Sequence, residues 1–266
     1  RPWGPKFYYQ SRLYQCYENN VAKRASRVFA SAIPLVQKLE RLNPNTSLFL
    51  PGHEACADSP RLEKRKGGGL IKVGFMGYIT YNLQVDWLLT ALADPSINLH
   101  LIGPIGKMNM QPFLGHKNFT HVPPLSGREL TDKLAEMDVL IIPYDTRIPE
   151  IRVVTADNKF FHYVAVGRPV VISDMPHFIQ MAKGVIYRAE SAEMFVEKIK
   201  QAYAEDCDEY RGLRAQIARD NTWDKRGDAL FSVIDRDLGG RLRDAVDSAP
   251  PAVAEPIEDD SGGGRL

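Results

Sequence analysis

Apolar and polar positions change period several times in the first 60 residues. Leu13, Tyr17 and Val21 lie four apart and predict a helix over residues 11–23. Val28-Phe29-Ala30 reads as a short strand, Pro34 opens a helix reaching Leu42, and Ser47-Leu48-Phe49-Leu50 is an apolar run stopped by Pro51-Gly52. These pieces are too few to cover both faces of a complete sheet.

From Leu70 the alternation becomes regular. Strands are predicted at 70–76, 99–102, 119–122, 139–142, 170–172 and 184–187. Helices are predicted at 85–93, 160–166, 192–204, 209–217 and 226–234, with one more opening at Ser126. Ser126 and Glu129 have capping-box spacing, and Leu130, Leu134 and Met137 give that helix a buried stripe. Val139-Leu140-Ile141-Ile142 has no polar member, as expected of a central parallel strand covered on both faces. Strands alternating with helices predict an α/β, Rossmann-like, doubly wound parallel sheet. Ligands of such sheets bind beyond the carboxyl ends of the strands, which directs attention to the loops after Met76, Ile102, Ile142 and Ile172.

The expected organisation is a partial N-terminal α/β segment over 1–56, a linker over 57–69, the Rossmann-like domain over 70–237 and a disordered tail over 238–266. The linker carries five charges among Arg61-Leu62-Glu63-Lys64-Arg65-Lys66, then three glycines. The tail is rich in Gly, Pro, Ala and acid. Trp3, Phe7, Tyr8 and Tyr9 form either a membrane-contact patch or the exposed edge of a further domain.

Composition narrows the function classes. In 266 residues, 44% hydrophobic and 25% charged residues describe a globular chain, and 34 Lys+Arg against 33 Asp+Glu leave a formal charge of +1. General nucleic-acid binding is disfavoured. No apolar run reaches the roughly 20 residues of a membrane-spanning helix. Cys16, Cys56 and Cys207 form neither a disulfide framework nor a zinc motif, so a reducing, cytoplasmic setting is expected. Walker, HExxH, GxSxG and CxxC motifs are absent, and Gly74 and Gly77 are spaced GxxG, short of a dinucleotide fingerprint.

The loop after Ile142 holds Tyr144, Asp145, Arg147 and Arg152 before Asp157-Asn158-Lys159 opens a helix. A helix N-terminus offers unpaired N–H groups and about half a positive charge, a natural seat for an anion. Lys159 adds a full charge where acidic residues are preferred, a cost that a bound phosphate would offset. The competing reading is a lysine extended into water. His162, one turn on, has either a structural role or a hydroxyl to bond. Tyr144 offers a ring for stacking or for rim packing. Trp223 reads as a packing anchor, and Gly77-Tyr78 as a loop that lets backbone approach a ligand.

The segment Asp157-Asn158-Lys159-Phe160-Phe161-His162-Tyr163-Val164-Ala165-Val166-Gly167-Arg168-Pro169-Val170-Val171 is similar to a conserved segment of nucleotide-sugar-dependent glycosyltransferases of the GT-B fold, group 1 type. Val73 to Ile79 with Asp86-Trp87-Leu88-Leu89, Leu101-Ile102-Gly103-Pro104 and Met137 to Tyr144 resemble further pieces in the family's order. The resemblance covers 71–234, more weakly 10–55, and within the family looks most like bacterial exopolysaccharide glucuronosyltransferases.

The resemblance implies the C-terminal, nucleotide-sugar-binding half of a two-domain enzyme, with the donor site built from Gly77, Tyr78, Tyr144, Asn158, Lys159 and His162. Lys159 would contact the diphosphate, and His162 stands where many members place a ribose-binding glutamate. It implies a UDP-sugar as favoured donor and a hydroxyl acceptor, a saccharide or lipid-linked saccharide at the inner membrane face. No metal or separate cofactor is expected, since Lys159 and the helix end would carry the leaving-group charge. Val154 and His162 stand where the retaining E-x7-E subgroup has glutamates, so the resemblance favours inverting transfer. The catalytic base of inverting members lies in an N-terminal domain of about 150 residues, which the roughly 60 residues before the linker do not supply. Either the chain is a fragment, or its product is truncated, or a partner chain supplies the rest. The alternative is a catalytically incomplete GT-B-like module that binds a partner; a sugar-phosphate epimerase lacks the paired acid and base it needs.

Overall fold

The computed structural model describes residues 5–54, 69–237 and 239, with side chains from Arg12 onward. The expected linker, apart from Gly69, and the expected tail, apart from Gly239, lie outside them, as do Trp3 and the side chains of Phe7, Tyr8 and Tyr9. The described residues up to Arg226 form one compact unit, and those from Gly227 a second that is helical through Asp237.

The chain begins with α1 (Pro5–Arg24), β1 (Val28–Ala30), α2 (Ile33–Leu39) and β2 (Thr46–Leu48). β1 and β2 pair in parallel as a sheet of their own over a small core of Ala22, Ala30 and Leu39. The main sheet follows: β3 (Ile71–Met76), α3 (Val85–Ala93), β4 (Ile97–Ile102), a 3-10 turn at Gln111–Phe113, β5 (Phe119–Val122) and α4 (Gly127–Ala135). Then come β6 (Val139–Ile142), α5 (Pro149–Arg152), α6 (Asn158–Ala165), β7 (Val170–Ser173), β8 (Ile186–Ala189), α7 (Ala192–Glu205), α8 (Asp208–Asp220) and α9 (Trp223–Asp237).

The six strands are all parallel in the order β5-β4-β3-β6-β7-β8. The chain runs outward from β3 through β4 to β5, then restarts on the other side of β3 with β6. The order therefore reverses between β3 and β6, the switch point where loops diverge and leave a crevice. All four residues of β6, an unbroken apolar run, are buried, as are all four of β7, three apolar and then Ser173. α3 packs on α7, with the Trp87 and Phe195 rings 5.5 Å apart, and α6 packs on α8.

Three expectations need correction. Ser126 occupies the N-cap of α4, but its side chain makes no capping bond; Gly127 holds φ +53 at the next position and turns the chain out of the capping-box geometry. Trp223 is 46% exposed, so it is not a packing anchor; its backbone N–H bonds the His53 carbonyl. The strand expected at 184–187 starts at Ile186, because Gly184 at φ +84 turns tightly over the Tyr210 ring.

His100, on β4, is buried with no partner for either ring nitrogen. Burial first, then the charges of Lys133 and Lys72, lowers its pKa from the ordinary 6.5 to about 4, with Glu136 opposing. As pH falls below 6.5 the unfolded chain takes up this proton before the folded one. The stability present above that pH is lost on the way to pH 4, by about 2–3 kcal/mol. His100→Leu is expected to flatten that part of the profile, read by urea unfolding at pH 7.5 and pH 4.5; an unchanged slope would contradict the assignment.

Candidate functional site

A cavity of about 410 Å³ opens at the carboxyl ends of β3, β4 and β6, at the switch point. The structure brings all six sequence-nominated residues, Gly77, Tyr78, Tyr144, Asn158, Lys159 and His162, to its wall. Met76, Asn82, Ile102, Gly103 and Pro104 complete the side nearest β3 and β4, and Pro124, Leu125 and Leu130 form an apolar flank. Arg147 and Arg152, from the same loop as Tyr144, do not line it. Arg147 instead donates to both carboxylate oxygens of Asp145, which holds that carboxyl below its usual range.

Two glycines allow the loops to converge. Gly77 has φ +132, and a methyl group there would overlap Lys159 Cε; Gly103 has φ +135, and a methyl group there would run into the Gly77 carbonyl. Backbone in this region costs a non-glycine residue about 1–3 kcal/mol. Gly77→Ala is therefore expected to displace the Lys159 stem and to cost about 1–3 kcal/mol of stability, read by urea unfolding. Unchanged stability would show that the close approach is not needed.

The N-terminus of α6 is built by Asp157. Its carboxylate Oδ1 accepts the Lys159 backbone N–H at 2.8 Å, the side-chain cap that opens the helix. The Oδ2 atom accepts the Tyr144 hydroxyl at 2.7 Å, and that hydroxyl accepts from Lys159 Nζ at 2.7 Å. Nζ also lies 3.3 and 3.4 Å from the two carboxylate oxygens. The cost of a lysine in a helix's first turn is thus met inside the protein, by a carboxylate and a phenol. Tyr144 is buried apart from 6%, so its ring is not an open stacking face; burial first, then the Asp157 charge, drives its pKa upward. Tyr78, 69% exposed on the rim, is the open aromatic ring.

His162 is half-buried one turn further on. Burial first, and the neighbouring His53 second, lower its pKa, with Glu54, Asp157 and Lys159 contributing smaller effects of both signs. The His53 ring lies 6.3 Å away, centroid to centroid, and reaches this place from the segment after β2. Its ring nitrogens sit 2.7 Å from the Glu54 carbonyl and 2.9 Å from the Ala218 carbonyl, and its own backbone bridges to Asn221 and Trp223. Sequence reasoning missed His53, since both partners are backbone atoms and one lies in a helix 165 positions away.

The family profile described as "Glycosyl transferases group 1" matches residues 70–205, half of the chain and the whole of the switch-point cavity. The chain belongs to this glycosyltransferase family. Its Rossmann-like fold is that of GT-B glycosyltransferases. It resembles Anabaena HepE, solved with UDP-glucose, at a TM-score of 0.59 and 16% identity over 86% of this chain and 70% of that one. It resembles the pneumococcal O-GlcNAc transferase GtfA, solved with UDP and GlcNAc, at 0.58 and 14% over 84% of this chain and 47% of that one. In sequence it is 26% identical over 179 residues to a Bacillus subtilis (strain 168) protein named as a teichuronic acid biosynthesis glycosyltransferase, TuaH. The match takes in 64% of this chain and 44% of TuaH, so the chain spans less than half the length of that curated relative. Among the described residues of this family member, no helix is long and apolar enough to cross a membrane.

Proposed function

We propose that this chain binds the donor of a glycosyltransferase, moving a sugar from a nucleoside diphosphate to a hydroxyl acceptor, a saccharide or lipid-linked saccharide. In this reading residues 70–237 are the nucleotide-sugar-binding half of a GT-B pair, with 1–56 belonging to the N-terminal half. The observation that carries the reading is the Lys159 ammonium, held in a cavity at the switch point of a parallel sheet beside a helix N-terminus. UDP-sugars are the favoured donors; the UDP-bound structures of HepE and GtfA support that choice.

Three of the nominated residues then have a physical task. Lys159 and the start of α6 stabilise the negative charge that grows on the departing diphosphate. Gly77 lets the loop after β3 come close to it. The lowered pKa of His162 keeps its ring neutral near pH 7, so one nitrogen donates and the other accepts, and the ring can bond a ribose hydroxyl in either sense. Val154 and His162 in place of the two glutamates of the retaining subgroup favour inverting transfer. A likeness to exopolysaccharide glucuronosyltransferases makes UDP-glucuronic acid the first sugar nucleotide to try.

Titration calorimetry with UDP, GDP and their sugars tests the proposal. Binding of a UDP-sugar in preference to GDP-sugars is expected. Absence of heat with every one of them would refute it.

A further inference from the structure

The Asp157 carboxylate engages, from behind the cavity wall formed by Tyr144, Asn158 and Lys159, the groups that an arriving anion would use. It takes an N–H of the α6 N-terminus, accepts the Tyr144 hydroxyl and faces the Lys159 ammonium. These are the positive features that the proposed donor site offers a diphosphate. Asp157 and Lys159 side chains are only 14% and 19% exposed, so water screens their attraction weakly.

The pair is also loosely coupled. The direct Nζ–carboxylate distances are 3.3 and 3.4 Å, longer than the usual 2.7–2.9 Å of a charge-assisted hydrogen bond. The short bonds run through the Tyr144 hydroxyl, which donates once and accepts once. The ammonium has three hydrogens, and its stem runs past Gly77, where no side chain fills the space.

We propose that Asp157 is a built-in counter-ion: a positioning residue that holds Lys159 through Tyr144 and yields it to the diphosphate of the substrate. This rests on the donor-binding reading given above and deepens it. The empty site is close to neutral, so it does not retain a weakly charged anion. A diphosphate carries more charge than one carboxylate and displaces it. When product leaves, Asp157 takes the ammonium back, which speeds release.

The counter-intuitive consequence is that removing the charge tightens binding. Asparagine is as good an N-cap as aspartate, so Asp157→Asn keeps α6 intact. Calorimetry with UDP and with inorganic pyrophosphate is expected to show about tenfold tighter binding in Asp157→Asn. Stopped-flow displacement is expected to show UDP leaving correspondingly slower. In a Lys159→Ala background the same substitution is expected to gain twofold or less, because the effect acts through the ammonium. A purely structural cap would change the melting temperature without this dependence on Lys159. Should Asp157→Asn not fold, Tyr144→Phe, which breaks the relay and keeps the ring, carries the test with about threefold tightening.

Unchanged or weaker binding in the variant that folds overturns the counter-ion while leaving donor binding intact. An equal gain with and without Lys159 overturns it in favour of simple repulsion. No binding of UDP or pyrophosphate by any of the proteins overturns both proposals.

Discussion

Lys159→Ala is expected to weaken UDP binding by about 30- to 150-fold, the equivalent of about 2–3 kcal/mol. The size follows from where the ammonium sits. Lys159 is largely withdrawn from water, in the first turn of α6, and lines the cavity with Gly77 and Tyr144. A charged hydrogen bond in such a place is worth far more than one on an open surface, where pairs contribute about 0–1 kcal/mol. Lys159→Arg separates charge from shape. The guanidinium keeps the charge, but it is planar and bulkier, and Gly77 leaves room only for a slim stem. An intermediate loss is expected from arginine. Equal losses in both variants would show that position alone matters, and no loss in either would remove Lys159 from the proposed site. Calorimetry with UDP reads all three cases, with unfolding curves to confirm that each variant is folded.

The main sheet was readable from sequence because its signals are local. The Val139–Ile142 run and the helix over Val85–Ala93 have the expected bounds, since an unbroken apolar stretch and a period of 3.6 are properties of neighbouring residues. The crevice rule for a doubly wound sheet pointed to the loops that hold the six nominated residues, whereas their selection as a set is what the resemblance to the glycosyltransferase family implies. What was not legible depends on partners distant in the chain. The Asp157 carboxylate is read correctly as the opening of a helix, yet its bond to the Tyr144 hydroxyl spans 13 positions and needs the β6 loop folded back on α6. His53 carries no motif at all; it is placed by carbonyls of residues 54 and 218. Gly184 looked like the first residue of a strand because Val185, Ile186 and Tyr187 follow it. Its role as a turn is set by Tyr210 above it and by a buried arginine that uses its carbonyl.

That arginine is Arg214, and Arg214→Met is expected to destabilise the protein by about 3–4 kcal/mol, lowering its melting temperature by roughly 6–16 °C. Arg214 lies on α8 with a fully buried side chain. Its Nε donates to the Gly167 carbonyl at 2.8 Å, and its two terminal nitrogens donate to the Gly184 carbonyl and to Asp206. One planar group on α8 thus joins the C-terminal end of α6, the turn before β8 and the C-cap of α7. Methionine of similar length fills the space but leaves two carbonyls in the interior without a donor, each costing about 1–3 kcal/mol. Asp206 is less exposed to this loss, because Arg211 also donates to it at 2.8 Å. Arg214→Lys is expected to recover only part of the stability, since an ammonium cannot reach three acceptors set around a guanidinium plane. Arg211→Ala, by contrast, removes a partner from Asp206 and leaves both carbonyls satisfied, so a smaller loss is expected. Urea unfolding of the three variants ranks them, and a methionine variant as stable as arginine would show that the two carbonyls find other donors.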